Sequence, residues 1–298
     1  MLATPILLAC LAALLLLGFH FAIRQGLAPR RTAERRSPGD LNLTYREVRI
    51  PTANGRTLFG WFLPAARVGK APAVALLHGW GGNAATMLPL AWPLHQAGFA
   101  VLLFDARCHG RSDEDSFASM PRFAEDLEHA LDWLGQQLEV DRRRLAAVGH
   151  SVGAAAALLA SSRRDGIAAV ASIAAFSHPE MLMRRFLASR HIPYIPFGWY
   201  ILHYVQRVIG YRFDDIAPLN TIRKVRSPTL LVHGAEDTTV PVAEAYAIYA
   251  ARPGEHVQLK IIPGGHDNYG DIEKQAKALV DFLQENVVSI CNESVAQD

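Results

Sequence analysis

Residues 145–157 read LAAVGHSVGAAAA: an apolar run, then Gly149-His150-Ser151-Val152-Gly153, then alanines. The run before the first glycine has strand character, and the alanines after the second are strong helix formers. A G-x-S-x-G pattern at a strand-to-helix turn holds its serine on a sharp, strained corner with Oγ exposed at the sheet end. Gly149 and Gly153 suit such a corner because a Cβ at either position would meet neighbouring backbone. The bare pattern is common, so the strand ahead of it and the helix behind it give it meaning.

Outward from that corner, short apolar runs alternate with helical patterns. Strands are predicted at 73–77 (AVALL), 99–104, 145–148, 167–175, 229–233 and 257–262. Helices are predicted at 84–97, 121–138, directly after the serine, 242–251 and 271–285. Short connections between alternating strands and helices define an α/β, doubly wound, mostly parallel sheet. Residues 43–50 and 57–63, joined by a turn at 51–55, predict an antiparallel hairpin at one sheet edge. Residues 177–215 break the rhythm: rich in Tyr, Phe, Trp, Ile and Leu, they predict a small helical cap over the active site. A surface helix pair with no substrate role is the plainer alternative.

A serine hydroxyl needs a base within hydrogen-bond reach and a third group to orient that base. Asp237 follows the strand at 229–233, and His266 follows the strand at 257–262. Carboxyl ends of parallel strands share one side of a sheet, so Ser151, Asp237 and His266 converge there. Glu236 is a rival acid; His233 and His256 are rival bases, less well placed along their strands. An oxyanion needs two preorganised N–H donors. The backbone of Val152, next to the serine, is one; Trp80 in the loop His78-Gly79-Trp80-Gly81-Gly82 is the other, its side chain expected to line the substrate pocket. Asp105 and Arg107 are expected to form a buried scaffolding pair. The other histidines lack ligand spacing, so neither a metal site nor a cofactor is expected.

The ends of the chain differ in kind from this core. Residues 2–23 contain no Asp, Glu, Lys or Arg, and at 1.5 Å per residue would rise about 33 Å, enough for a bilayer core. A transmembrane anchor over residues 1–23 is the preferred reading, with a cleaved signal peptide or lipidation at Cys10 as alternatives. Residues 24–36 then carry five arginines against Glu34, leaving a net charge of about −2 on the rest. By the positive-inside rule the domain faces the cytoplasm, and residues 24–40 read as a basic linker along the membrane surface. Cys10, Cys108 and Cys291 form no disulfide framework, in keeping with a reducing compartment. No basic stripe suggests nucleic acid.

With HGWGG (78–82), DARCHGRS (105–112), GHSVG (149–153), HGAEDTTVP (233–241) and GGHD (264–267), the chain resembles the α/β-hydrolases from about residue 43 to 287. It is most similar to the single-domain esterase and serine-aminopeptidase-like branch. Cys108 stands where relatives commonly have glycine. The resemblance implies one hydrolase domain (residues 41–288, with a tail at 289–298) and a Ser151–His266–Asp237 triad working through an acyl-enzyme. A carboxylic ester or thioester with a hydrophobic acyl group is the expected substrate, a lipid among the candidates. An amino- or acyl-peptidase is the alternative, and a non-catalytic binding protein the more distant one.

Overall fold

The computed structural model describes residues 3–267 and 272–288. Residue 2, Asp271, Cys291 and the tail at 289–298 lie outside the described residues. The chain opens with α1 (Ala3–Gly26), followed by the hairpin β1 (Arg46–Thr52) and β2 (Arg56–Leu63). Then come β3 (Ala71–Leu77), α2 (Leu88–Gln96), β4 (Ala100–Phe104), α3 (Met120–Gly135), β5 (Val140–His150), α4 (Val152–Arg163) and β6 (Ala169–Ile173). Four helices follow: α5 (Pro179–Ser189), α6 (Trp199–Ile209), α7 (Phe213–Ile216) and α8 (Pro218–Thr221). The chain finishes with β7 (Thr229–Gly234), α9 (Ala243–Ala250), β8 (Val257–Ile262) and α10 (Ile272–Leu283).

The sheet has eight strands in the order β1-β2-β4-β3-β5-β6-β7-β8. From β4 onward every pair is parallel, while β1 and β2 make the antiparallel edge read from the sequence. All seven residues of β3 are buried, as a strand covered on both faces requires. Its side chains alternate between two cores: Ala73, Ala75 and Leu77 face one with α3 and α4, and Val74 and Leu76 face the other with α2 and α10.

Some boundaries move for visible reasons. The helix expected at 84–97 begins as a 3-10 turn (Ala84–Met87), because the Asn83 side chain accepts from Ala85 N at 3.1 Å and draws that turn tight. The helix expected to reach residue 138 stops at Gly135, a residue type that costs about 1 kcal/mol relative to alanine inside a helix. The serine strand is longer than expected, starting at Val140.

Helix α1 contains a stretch, Ile6–Gly26, long and apolar enough to cross a membrane. The segment after it, expected as a basic linker, packs on the loops that follow β3 and β4. Arg31 Nη1 donates to Gly110 O at 2.6 Å and Ser112 O at 2.8 Å. Thr32 Oγ1 donates to Gly81 O, and Asn83 Nδ2 donates to Thr32 O, both at 2.8 Å. The arginine reads here as a donor to loop carbonyls, a use its charge alone does not reveal.

Candidate active site

Ser151 sits between β5 and α4 with φ 54° and ψ −115°, a conformation that costs a non-glycine residue on the order of 1–3 kcal/mol. The sharpness of this corner explains the flanking glycines. A Cβ on Gly149 would lie 2.1 Å from Gly153 O, and one on Gly153 would lie 2.4 Å from His78 O. The strained residue is fixed by its own N–H, which donates to Ile173 O at 2.8 Å.

The strand ends bring the three expected side chains together. His266 Nε2 is 2.9 Å from Ser151 Oγ, and His266 Nδ1 is 2.7 Å from Asp237 Oδ2. A carboxylate accepts only, so Nδ1 carries the proton and Nε2 is left to accept from the serine. Asp237 is buried. Its Oδ1 accepts from Thr239 N at 2.9 Å and Val240 N at 2.7 Å, which fixes the carboxylate plane. The rivals have other tasks. Glu236 accepts from Gly264 N and so steadies the loop that carries His266. His233 bonds Val240 O at 2.7 Å and lies 3.4 Å from Asp237 Oδ2, behind the acid. His256 bonds Val225 O at 3.0 Å, and it precedes β8, at the opposite end of the sheet. His150, unremarked beyond its place in the motif, donates from Nε2 to His266 O at 3.0 Å, and burial pushes its pKa down.

The loop after β3 passes the serine closely: a Cβ on Gly79 would lie 3.1 Å from that of Ser151. His78, read from sequence as one scattered histidine, controls this loop. Its Nε2 accepts from Ala106 N at 3.1 Å, so the proton is on Nδ1, which donates to Gly79 O at 2.7 Å. Burial, the largest cause, pushes the His78 pKa down to about 3 and keeps the ring neutral. Gly79 O and Trp80 N belong to one peptide plane, so holding the carbonyl aims the N–H the opposite way. Val152 opens α4, and its N–H has no acceptor within the helix. The Trp80 ring is 40% exposed, stacked over Phe123 at 6.3 Å and edge-on to His109 at 5.8 Å.

Asp105 and Arg107 are both buried, but not as the expected pair. Asp105 accepts from Ala84 N at 2.6 Å and Arg111 N at 2.7 Å. Arg107 instead pairs with Asp126, Nε to Oδ1, at 2.7 Å. Both serve as backbone cross-braces, since a buried charge needs partners on every side. Glu34, from the arm, presses against Asp105; burial first, then repulsion from that carboxylate, raise its pKa to about 7. Nothing in the spacing of residues 24–40 pointed to this contact.

Ligating atoms of His150, His266 and Asp267 lie within 4.8 Å of one another. Both ring nitrogens of His266 are already engaged by Asp237 and Ser151, so a cation there would compete with that pairing.

An eight-stranded, mostly parallel sheet with a strained serine at a strand-to-helix corner is the α/β-hydrolase fold. Residues 70–205 match the family described as serine aminopeptidase, S33. An uncharacterized protein of Mycobacterium tuberculosis is 31% identical over 230 residues, covering 75% of this chain and 73% of its own length. The uncharacterized protein YfhR of Escherichia coli is 28% identical over 247 residues, 79% of each chain. Among solved structures, an esterase of Pyrococcus furiosus superposes with a TM-score of 0.71 at 23% identity, over 88% of this chain and 98% of its own. The chain belongs to the α/β-hydrolase superfamily and, within it, to the same family as the mycobacterial protein.

Proposed function

We propose that this hydrolase is a serine esterase or thioesterase working through an acyl-enzyme. The supporting observation is the continuous line from Ser151 Oγ through His266 to Asp237, with bonds of 2.9 and 2.7 Å. Ser151 Oγ attacks the substrate carbonyl while His266 Nε2 takes its proton. The carbonyl oxygen becomes an oxyanion, held by the N–H groups of Trp80 and Val152; losing one such donor costs on the order of 3 kcal/mol. As the tetrahedral centre collapses, the bond to the alcohol or thiol breaks and His266 returns the proton to it. Water then repeats the sequence on the acyl-serine and frees the acid. Asp237 holds the imidazole in its Nδ1–H form throughout and supports the charge it gains.

The helical segment that begins at α5 supports an apolar acyl group, and α1 is the proposed membrane anchor, the arginines from Arg24 to Arg36 keeping the domain on the cytoplasmic side. The serine-aminopeptidase description of the matching family favours one second reading, hydrolysis of an amide by the same residues.

A fluorophosphonate probe on the purified full-length chain is the direct test. Labelling at Ser151 that disappears in Ser151→Ala is expected; no labelling of the folded wild-type chain would make it a binding protein instead. A panel of acyl esters, thioesters and aminoacyl nitroanilides then separates the readings. Nitroanilide turnover close to ester turnover would favour the peptidase.

A further inference from the structure

Helices α1 and α6 lie side by side and advance in the same direction. His20 Nε2 and Tyr200 OH are 2.5 Å apart, and one turn further along both helices Arg24 Nε donates to Tyr204 OH at 3.1 Å. Phe19 meets the Tyr200 ring at 5.8 Å, and the rings of His20 and Tyr204 stack at 4.1 Å. The amino-terminal end of α6 therefore points the same way as that of α1, toward the apolar end of the candidate span. The turn leading into α6 and the helix's first residue carry three exposed apolar side chains: Ile195 (68%), Phe197 (52%) and Trp199 (48%). With residue 200 level with residues 19 and 20, this turn stands beside the middle teens of α1. There Leu14, Leu15, Leu16 and Leu17 are exposed as well.

Depth decides what covers them. Among the described side chains of α1, Phe19 is the first that packs against the core, with Ile23 and Leu27 after it. A hydrocarbon core is about 30 Å thick. The candidate span Ile6–Gly26 has that length, so an α1 that crosses takes the level of residues 14–17 into the hydrocarbon, and α6 goes with it through Tyr200. Charge fits the same placement. Between Pro179 and Gly210 the segment has Arg184, Arg185, Arg190 and Arg207 against Glu180 alone. Arg24 and Arg207 sit beyond the aromatic end of the helix pair, where headgroup phosphates would lie.

We propose that Ile195, Phe197 and Trp199 form a second membrane contact, inserted into the bilayer beside α1, so that the helical segment rests on the lipid surface. The proposal rests on α1 spanning the bilayer and not on the hydrolase chemistry. Single hydrophobic side chains on a surface are ordinary; three within five residues, beside a candidate span and on a segment whose charges are mostly arginine, match a bilayer interface.

The test uses the full-length chain in vesicles of phosphatidylcholine and phosphatidylglycerol whose acyl chains are brominated near the glycerol. Tryptophan fluorescence is expected to be quenched, most of that quenching to be lost in Trp199→Phe, and none of it in Trp92→Phe. Trp92 is equally exposed, at 48%, but lies on α2, over the other core. Flotation with the vesicles separates two failures. A chain that does not float overturns the anchor and the proposal with it. A floating chain whose quenching is unchanged in Trp199→Phe, or falls equally in Trp92→Phe, overturns the proposal and leaves the anchor. Fluorophosphonate labelling of Trp199→Phe at the wild-type rate shows that the substitution left the fold intact.

Discussion

At the carboxyl edge of the sheet, Ser151, Asp237 and His266 stand on strand ends whose positions follow from parallel pairing. A short distance away, Arg31, Thr32 and Glu34 reach the neighbouring loops on a segment with no regular structure of its own. Both groups bear on the loop from His78 to Asn83, the first as its neighbour across the site and the second as a clasp on its outer side. The difference is one of means. The strand-borne residues are placed by backbone geometry, whereas the arm depends on side chains finding carbonyl oxygens that any loop sequence would offer. Chemistry should therefore be concentrated on the sheet edge, and the arm should tune rather than perform it.

Substitutions on the two sides break or sharpen that contrast. Asp237→Asn keeps an acceptor for Thr239 N and Val240 N but loses the charge behind His266. We expect kcat to fall roughly 10⁴-fold, with circular dichroism unchanged; a loss under tenfold would put the chemistry elsewhere. His78→Phe frees the peptide that carries the Trp80 N–H, and kcat is expected to drop about 10²-fold with little change in KM. An effect on KM alone would mean that His78 only fills space. Arg31→Ala removes charged hydrogen bonds to Gly110 O and Ser112 O, for a loss of about 2 kcal/mol in urea unfolding. Its kcat should fall far less than that of His78→Phe, and an equal fall would erase the distinction between edge and arm.

Glu34 gives the contrast a pH dependence. Its folded pKa of about 7 lies above its ordinary 4.5, so between those values the folded chain holds a proton that the unfolded chain releases. Stability from this group is fully present below pH 4.5 and is lost as pH rises through 7. Glu34→Gln, uncharged beside Asp105 at every pH, should flatten that decline and melt above wild type at pH 8. The same slope in both proteins would show that Glu34 does not titrate against Asp105. The smallest change expected is Cys108→Gly. Cys108 has φ 66°, so glycine relieves about 1 kcal/mol of left-handed strain. The buried Sγ, which accepts from Asp115 N at 3.3 Å, is lost in exchange, and the melting temperature should barely move.

The left-handed backbone at Cys108 is a conformation that glycine adopts freely, and the bare sequence does not display it. Much at the sheet edge was legible: strand periodicity and the crowding around Gly149 and Gly153 dictate backbone, and backbone places Ser151, Asp237 and His266. What escaped reading was side-chain partnership over long separations. Arg107 chose Asp126 over Asp105 because α3 carries its carboxylate to the guanidinium, a matter of helix phase that spacing along the chain does not encode. His78 and His150 look like any histidines until the carbonyls they hold, Gly79 O and His266 O, are seen in place. The arm's contacts depend on where a non-repetitive segment happens to turn.

The clasp of Thr32 and Asn83 has a practical edge. A soluble form obtained by trimming the chain after residue 23 keeps the strand of residues that grips Gly81, Gly110 and Ser112; one trimmed to begin at Pro38 does not. Two laboratories removing the greasy leader at those two points would be handling catalysts with differently supported loops, and their rate constants should not be pooled.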